Sequence, residues 1–213
     1  MAGHLDEHRW NSLWIALGAK APQGSFYELV SLYTEPQRRY HNVSHILAAL
    51  NHFDTLKGLA RRPDLVEFAL WLHDSVYDPR ATDNEAKSAD LAERFLSAAG
   101  LDDLVAEVRR LIMATAHTSP SEADDAGLVV DIDLSVLALH PAGYIEYTRA
   151  VRQEYQWVPD ELFRAGRSKV LKSFLALPNL YSHPAVIAIW EVRALRNLRT
   201  ELRVLSESNE FIE

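Results

Sequence analysis

Apolar residues recur three and four positions apart along almost the whole chain, which is the spacing of a buried helix face. One such stripe runs from Trp10 to Leu17, and another runs from Val43 to Phe53. No alternation of apolar and polar residues is long enough to indicate a strand. Prolines fall near the ends of the periodic segments, where helices tolerate them. The pattern therefore predicts an all-α fold.

The same pattern predicts about eight to ten helices in one bundle. Two capping boxes, Ser25–Glu28 and Thr82–Glu85, are expected to open helices, the second of which ends before Gly100. The remaining helices are expected near residues 64–72, 102–117, 124–138, 142–155, 160–176 and 184–206. We expect a single domain over residues 1–213, with a core at about 38–138 and C-terminal helices at about 141–206 packed on it.

Composition narrows the class of protein. The chain has 213 residues, a formal net charge of −8 and no cysteine. An acidic chain is a poor general binder of nucleic acid, and the lack of cysteine excludes disulfides and thiolate metal sites. No apolar stretch is long enough to cross a membrane, and the polar N-terminus is unlike a secretory signal. We therefore expect a cytoplasmic protein without membrane partners.

A histidine–aspartate doublet, His73-Asp74, carries the first sign of chemistry, because it ends the apolar run Phe68–Leu72. Burying an imidazole beside a carboxylate is costly unless a cation lies between them. Upstream, His41 and His45 are four positions apart and share one face if both are helical. The three histidines and the aspartate favour a divalent metal ion.

A further carboxylate is available downstream, where Asp131 and Asp133 compete for the same role. The sequence leaves open which of the two faces inward. Two imidazoles and two carboxylates suit zinc, manganese or iron better than calcium, which prefers oxygen ligands.

The order of these residues resembles the HD superfamily of metal-dependent phosphohydrolases. The segment Tyr40–His45 is similar to a motif of the cyclic-nucleotide phosphodiesterases, and Asp133-Leu134-Ser135 resembles the surroundings of their last metal-binding aspartate. A closer resemblance, over most of the chain, is to a bacterial group of small predicted HD phosphohydrolases. That closer resemblance is carried by His73–Asp78, Asn84–Ala89 and Trp157–Glu161.

The resemblance implies an HD-type helical bundle and a set of roles. His45, His73, Asp74 and Asp133 would hold one divalent ion (Mn, Mg, Fe, Ni, Co or Zn). His41 would donate a proton to the leaving group, and Asp74 would also orient or deprotonate a water molecule. The expected reaction is hydrolysis of a small phosphorylated metabolite or nucleotide. The likeness to phosphodiesterases is confined to short motifs, so a cyclic nucleotide is not implied.

Four arginines are further candidates, as contacts for the phosphate of that small phosphorylated partner, because a guanidinium matches phosphate geometry. They are Arg38, Arg39, Arg164 and Arg167. Arg164 and Arg167 share a helix face and also fit a solvated charged patch. Whether the chain forms a homodimer is left open.

Three more residues have a possible place in the site and an ordinary structural alternative. Asp78 either joins the site or ends a turn before Pro79. Glu85 either joins the site or caps its own helix. His117 either adds a metal ligand or complements a helix dipole.

Two other functions stay open at this stage. Some HD-type helical domains hold two irons and oxidise organic substrates with dioxygen. A non-catalytic regulatory module with a structural metal or a bound nucleotide is the other alternative. The number of ions and their open coordination positions would separate these cases.

Overall fold

The structure is a computed structural model that describes residues 4–117 and 121–207, and its secondary structure in these two stretches is entirely helical. The predicted all-α class is thereby confirmed. The described residues form ten helices: α1 Glu7–Ala16, α2 Ser25–Tyr33, α3 Val43–Leu56, α4 Pro63–Leu72, α5 Asn84–Ala98, α6 Val105–Ala114, α7 Asp125–Asp133, α8 Pro141–Glu154, α9 Asp160–Leu175, and α10, which joins Pro184–Val186, a π-helical stretch at Ile187–Glu191 and Val192–Glu207.

Helix α4 lies in the middle of the bundle and contacts α1, α3, α5, α6 and α7. Its apolar residues from Leu65 to Leu72 are buried all round the helix, which is the pattern of a helix enclosed by others. The Trp10 ring of α1 stacks on Phe68 at 5.8 Å between centroids and meets Trp71 edge-on at 5.3 Å. These large rings fix α4 in place by burying much apolar area.

The chain turns sharply at the end of α4, and the side chain of Arg38 holds that turn. The buried guanidinium donates hydrogen bonds to the carbonyl oxygens of Asp74 at 2.6 Å, Ser75 at 2.7 Å and His41 at 2.9 Å. Its Nε donates to the Glu35 carboxylate at 3.0 Å. One arginine thus ties the segment before α3 to the end of α4.

Helix α7 packs against α3, α4 and α6 and is buried along almost its whole length. The Asp125 carboxylate accepts hydrogen bonds from the backbone N–H groups of Arg61 and Arg62 at the start of α4. Gly127 lets two segments come very close, since a Cβ there would lie 1.8 Å from the Glu122 carbonyl oxygen just before α7 and 2.5 Å from Ser182 Oγ just before α10. α7 therefore approaches its neighbours closely, with its C-terminus beside the end of α4.

The C-terminal helices form a second part of the bundle. Helix α10 packs against α9 and against the 3-10 stretch Leu134–Ala138 that continues α7. The buried Asn197 side chain donates to the carbonyl oxygens of Leu137 and Leu139, each at 2.8 Å, and the Tyr181 hydroxyl donates to that of Leu134 at 3.0 Å. These bonds satisfy the carbonyl groups that the short 3-10 turn leaves free.

The positions of the helices along the chain agree well with the sequence prediction, whereas the two predicted capping boxes do not form. Helix α2 begins at Ser25, but its N-cap is Gly24, and the Ser25 hydroxyl instead accepts a hydrogen bond from the Trp10 indole N–H at 3.0 Å. Helix α5 begins at Asn84 with Asp83 as N-cap, and no side-chain capping bond is made there. Both predicted capping boxes were therefore wrong.

No single helix in the two described stretches has the length and apolar character needed to cross a membrane. One pair of segments, Asp125–Ala138 and Pro141–Glu154, meets those criteria only when taken together, and the two are bent by 106°.

Candidate metal centre

Four side chains from three parts of the fold converge at one point. They are His45 of α3, His73 and Asp74 at the end of α4, and Asp133 at the end of α7. One ligand atom from each lies within 4.8 Å of the other three. Both histidines are buried, and both aspartates are mostly buried. This set contains all four of the residues for which the sequence predicted metal ligation.

The distances within the group suit the ligands of a single ion. The Nε2 atoms of His45 and His73 are 3.1 Å apart. Asp74 Oδ2 lies 3.2 Å and 3.1 Å from these two nitrogens, and Asp133 Oδ1 lies 3.3 Å and 3.4 Å from them. Ligands held about 2.0–2.2 Å from an ion lie roughly 3.0–3.4 Å from their neighbours. The residues present therefore fit a divalent cation.

The tautomer of His73 is fixed by its surroundings. Its Nδ1 lies 3.0 Å from the carbonyl oxygen of Leu70, which accepts hydrogen bonds and cannot donate them. Nδ1 must therefore carry a proton, so in the neutral ring that a metal ion requires, Nε2 faces the group with its lone pair. Backbone orientation of a ligating imidazole is a common feature of metal sites.

Charge is concentrated in this group and balanced inside it. Burial by itself raises the pKa of Asp74 and Asp133, but the neighbouring histidines outweigh burial and hold both pKa values well below their usual range. Burial by itself lowers the pKa of His45 and His73, yet the two carboxylates raise both. Both aspartates are thus ionised, as ligands to a cation must be.

His41 lies beside the group and is held by a carboxylate that the sequence did not reveal. Helix α3 begins at Val43, so His41 precedes the helix instead of sharing a helical face with His45. Its Nδ1 donates to Glu154 Oε2 at 2.7 Å, and within the described residues Nε2 has no hydrogen-bond partner. The other carboxylate oxygen, Oε1, accepts from the backbone N–H groups of Arg39, Tyr40 and His41.

Glu154 is consequently the anchor of the segment before α3. Burial alone raises its pKa, but the hydrogen bonds and the charge of His41 lower it to about 2. Tyr77 completes the arrangement, because its hydroxyl donates to Oε2 at 3.1 Å and its ring stacks on His41 at 3.9 Å between centroids. The imidazole is therefore fixed on two sides.

A signal for Glu154 exists in the sequence. In α8 the buried Tyr144, the partly buried Tyr147 and the buried Val151 follow one another three and four residues apart, and Glu154 continues that spacing. A carboxylate on an apolar stripe must be paired, but the stripe alone does not identify its partner.

A cavity of about 560 Å³ opens beside the metal centre. Asp133, His41 and His117 lie in its wall together with Tyr40. The rest of the wall comes from Leu134–Ala138, α8, the segment after it and α9, and is mostly apolar. The candidate centre thus borders a space large enough for a small organic molecule.

Asp131 lies elsewhere, which settles the alternative between the two aspartates of α7. Its carboxylate accepts from the backbone N–H groups of Ser182 at 2.7 Å and His183 at 2.9 Å, and also from both of their side chains. Asp131 is fully buried and holds the start of α10. Asp133 is the aspartate that joins the group.

His117 lies next to the four-residue group without belonging to it. Its Nε2 is 3.2 Å from Asp133 Oδ2, the oxygen that does not face His45 and His73. Its φ of +50° is a left-handed backbone conformation that is uncommon for any residue other than glycine. His117 therefore orients Asp133 from the cavity side.

The four arginines proposed as phosphate contacts have different surroundings. Arg38 is buried against backbone carbonyls, whereas Arg39 is exposed and forms hydrogen bonds only through its backbone N–H and carbonyl groups. Arg164 donates to the Leu205 carbonyl of α10. Arg167 reaches the cavity wall and is mostly buried, not part of a solvated patch, and it pairs through two nitrogens with Glu201 at 2.8 Å and 3.1 Å.

Asp78 and Glu85 lie outside the group. Asp78 is exposed, and its carboxylate accepts from the Arg80 N–H in a local turn, as the structural alternative proposed. Glu85 lies in the first turn of α5 without forming the capping bond expected of it.

No protein family model, no curated protein and no solved structure matches the chain.

Proposed function

We propose that this chain is a member of the HD superfamily and acts as a metal-dependent phosphohydrolase on a small phosphorylated molecule. The observation that carries the proposal is the convergence of His45, His73, Asp74 and Asp133 beside a fixed His41 at the wall of a cavity. The order of these residues along the chain, which resembles that superfamily, agrees with it.

The donor set is the first support. Two carboxylates balance the charge of a divalent cation, and two imidazole nitrogens favour Mn, Fe, Co, Ni or Zn over calcium. A divalent ion held there would supply the chemistry of such enzymes by lowering the pKa of a water molecule and polarising a phosphoryl oxygen. Mg remains among the candidates because half of the donor set is oxygen.

The second support is the position of His41. Glu154 accepts a hydrogen bond from its Nδ1 and fixes the orientation of the ring, so Nε2 is the atom that can give a proton to a leaving group. In the proposed reaction, water attacks phosphorus, the phosphorus–oxygen bond to the alcohol breaks, and the departing alkoxide takes its proton from His41. Asp74 accepts a proton from the attacking water. The products are the alcohol and inorganic phosphate.

The test combines metal analysis with turnover. Protein purified without chelators is analysed for bound metal, and a panel of phosphomonoesters is then assayed with that metal restored. We expect hydrolysis that disappears in stripped protein and returns with the ion. Retained hydrolysis in fully stripped protein would contradict the proposal, and so would a panel with no turnover at all.

Two variants separate the roles of the residues. Asp74→Ala is expected to lose both the ion and hydrolysis. His41→Asn is expected to keep the ion while losing about 10²-fold to 10⁴-fold in kcat, the usual contribution of a general acid. Two irons per chain and uptake of dioxygen would instead favour the oxygenase alternative.

A further inference from the structure

We propose that the cavity beside the metal centre binds the apolar alcohol group of a phosphomonoester, so that the substrate is an alkyl or aryl phosphate and not a sugar phosphate or a polyphosphate. This inference rests on the proposed function for the phosphate end of the substrate. It adds the chemical class of the remainder.

The wall of the cavity is mostly apolar. Aliphatic and phenylalanine side chains provide most of it, among them Leu134, Leu137, Val151, Phe163 and Val170. The wall also contains Tyr40, Tyr147 and Tyr155, but a sugar or a nucleobase has more polar groups than these few hydroxyls could pair, and each polar group left without a partner costs free energy. An apolar group loses nothing on entering and gains from leaving water.

The wall also offers little positive charge to a polyphosphate. Apart from His41 and His117 at the metal end, Arg167 is the one side chain in the described wall of the cavity that can carry a positive charge, and both its Nε and its Nη2 already bond the Glu201 carboxylate. Its Nη2 also donates to the Tyr147 hydroxyl at 3.2 Å. Away from the histidines at the metal end, a triphosphate or diphosphate would find no unpaired arginine or lysine along this wall. A single phosphate placed at the metal centre needs none.

Helix α9 presents an apolar face to the cavity. Leu162, Gly166, Val170 and Phe174 follow at intervals of four residues and all line it. Leu162 is 65% exposed and Val170 is 43% exposed, so this stripe is not buried by the fold itself. An apolar stripe of this kind is typical of a surface that a ligand covers.

Gly166 differs from the other members of that stripe because it has no side chain. Glycine in a helix interior lowers helix stability, yet no atom lies within 4 Å of the position a Cβ would take. Packing therefore does not require glycine there. Its effect is to keep the cavity wide in the middle of the apolar wall.

The experiment measures chain-length dependence in the metal-loaded protein. The turnover arm compares kcat/KM for methyl, butyl and octyl phosphate, with 1-naphthyl phosphate, glycerol phosphate and a nucleoside diphosphate alongside. The binding arm uses methyl, butyl and octyl phosphonate, which cannot be hydrolysed, and measures their affinity by calorimetry. Each methylene buried in the cavity is expected to raise kcat/KM and affinity by up to about fourfold.

The matched variants are Gly166→Trp, which fills the cavity, and Ala165→Trp, which adds the same side chain to the exposed neighbouring position of α9. Gly166→Trp is expected to lower kcat/KM for octyl phosphate, and the affinity for octyl phosphonate, by at least tenfold, so that the dependence on chain length is largely lost. Ala165→Trp is expected to preserve it. Octyl above naphthyl would identify an alkyl group, and the reverse order an aryl group, and either order supports the proposal.

The two arms distinguish this inference from the proposed function. Graded phosphonate binding that Gly166→Trp abolishes, without hydrolysis of any ester, would support the cavity assignment and overturn the hydrolase. Hydrolysis with no preference for longer chains, or with preference for glycerol phosphate or the diphosphate, would overturn the cavity assignment alone.

Discussion

At the scale of single residues, the fate of a carboxylate depends on the neighbours to which the fold brings it. Asp131 and Asp133 are two positions apart on α7 and therefore point about 200° apart around the helix axis. One meets the backbone of α10, and the other meets two imidazoles. The sequence identified both as candidates but left the choice open, because the helix had no fixed rotation until its partners were known.

Glu154 shows the opposite case, in which a residue without a motif anchors the site. Four of its hydrogen-bond donors come from the segment before α3, more than a hundred positions away, and a fifth is the Tyr77 hydroxyl. Such contacts follow from tertiary packing, so the local pattern could mark Glu154 as unusual without identifying its partner. The doublet His73-Asp74, by contrast, was recognisable in the sequence because the apolar run that marks it comes directly before it.

Glu154→Gln is expected to lower the free energy of unfolding by about 2 kcal/mol near neutral pH, because hydrogen bonds to a charged acceptor are lost. The exposed Glu146 on the same helix provides the matched control, and Glu146→Gln is expected to change stability by less than about 0.5 kcal/mol. Urea unfolding of the metal-free proteins measures both. Equal effects of the two substitutions would contradict the role given to Glu154.

The same variant carries a pH dependence whose sign follows from its pKa. The pKa of a glutamate is ordinarily about 4.3, whereas in the folded chain the pKa of Glu154 is lowered to about 2. The stability due to its charged form is therefore complete above the ordinary value and is lost as pH falls towards about 2. The stability difference between the wild type and Glu154→Gln should shrink over that window, and unfolding curves at several pH values would show it.

At the scale of elements, periodicity predicted the helices well, and their ends less well. Predicted segments such as 142–155 and 160–176 match α8 and α9 to within one residue. The predicted box at Ser25 failed because the indole of Trp10, a distant residue, takes the serine hydroxyl. Capping is a competition among hydrogen-bond partners, and sequence shows only the local ones.

Substitution of glycine by alanine is expected to have opposite effects on stability at two positions, one on α7 and one on α9. Gly127→Ala is expected to destabilise the fold by about 2–3 kcal/mol, because its Cβ would lie 1.8 Å from a backbone oxygen. Gly166→Ala is expected to stabilise it by about 0.5–1 kcal/mol, because its Cβ meets no atom and alanine favours the helix. Thermal unfolding of the pair checks this, and destabilisation by both would contradict the packing described for α9.

At the scale of the whole molecule, the candidate site is a product of topology. Helices α3, α4 and α7 meet at their ends, and only there do His45, the doublet and Asp133 approach one another. Sequence order and resemblance pointed to these four residues. The cavity beside them requires α8 and α9 to stand apart by a particular distance, which no local pattern specifies.

Because the four ligands come from three separate helices, a bound ion is expected to stabilise the fold as a whole. At about 100 times its Kd, a ligand that binds only the folded state adds about 2.7 kcal/mol, or about 5–10 °C in Tm for a chain of this size. Manganese or zinc should therefore raise the Tm of the wild type and leave that of Asp74→Ala nearly unchanged. A similar rise in both proteins would indicate binding elsewhere.

The most direct test of the account is the metal content of three proteins, measured by mass spectrometry after dialysis, with helical content checked by circular dichroism. The wild type and Asp131→Asn are expected to hold one divalent ion per chain, since Asp131 faces α10. Asp133→Asn, two positions along the same helix, is expected to hold none. A folded Asp133→Asn protein that retains its ion, or a folded wild type that holds none after reconstitution, would contradict the metal centre.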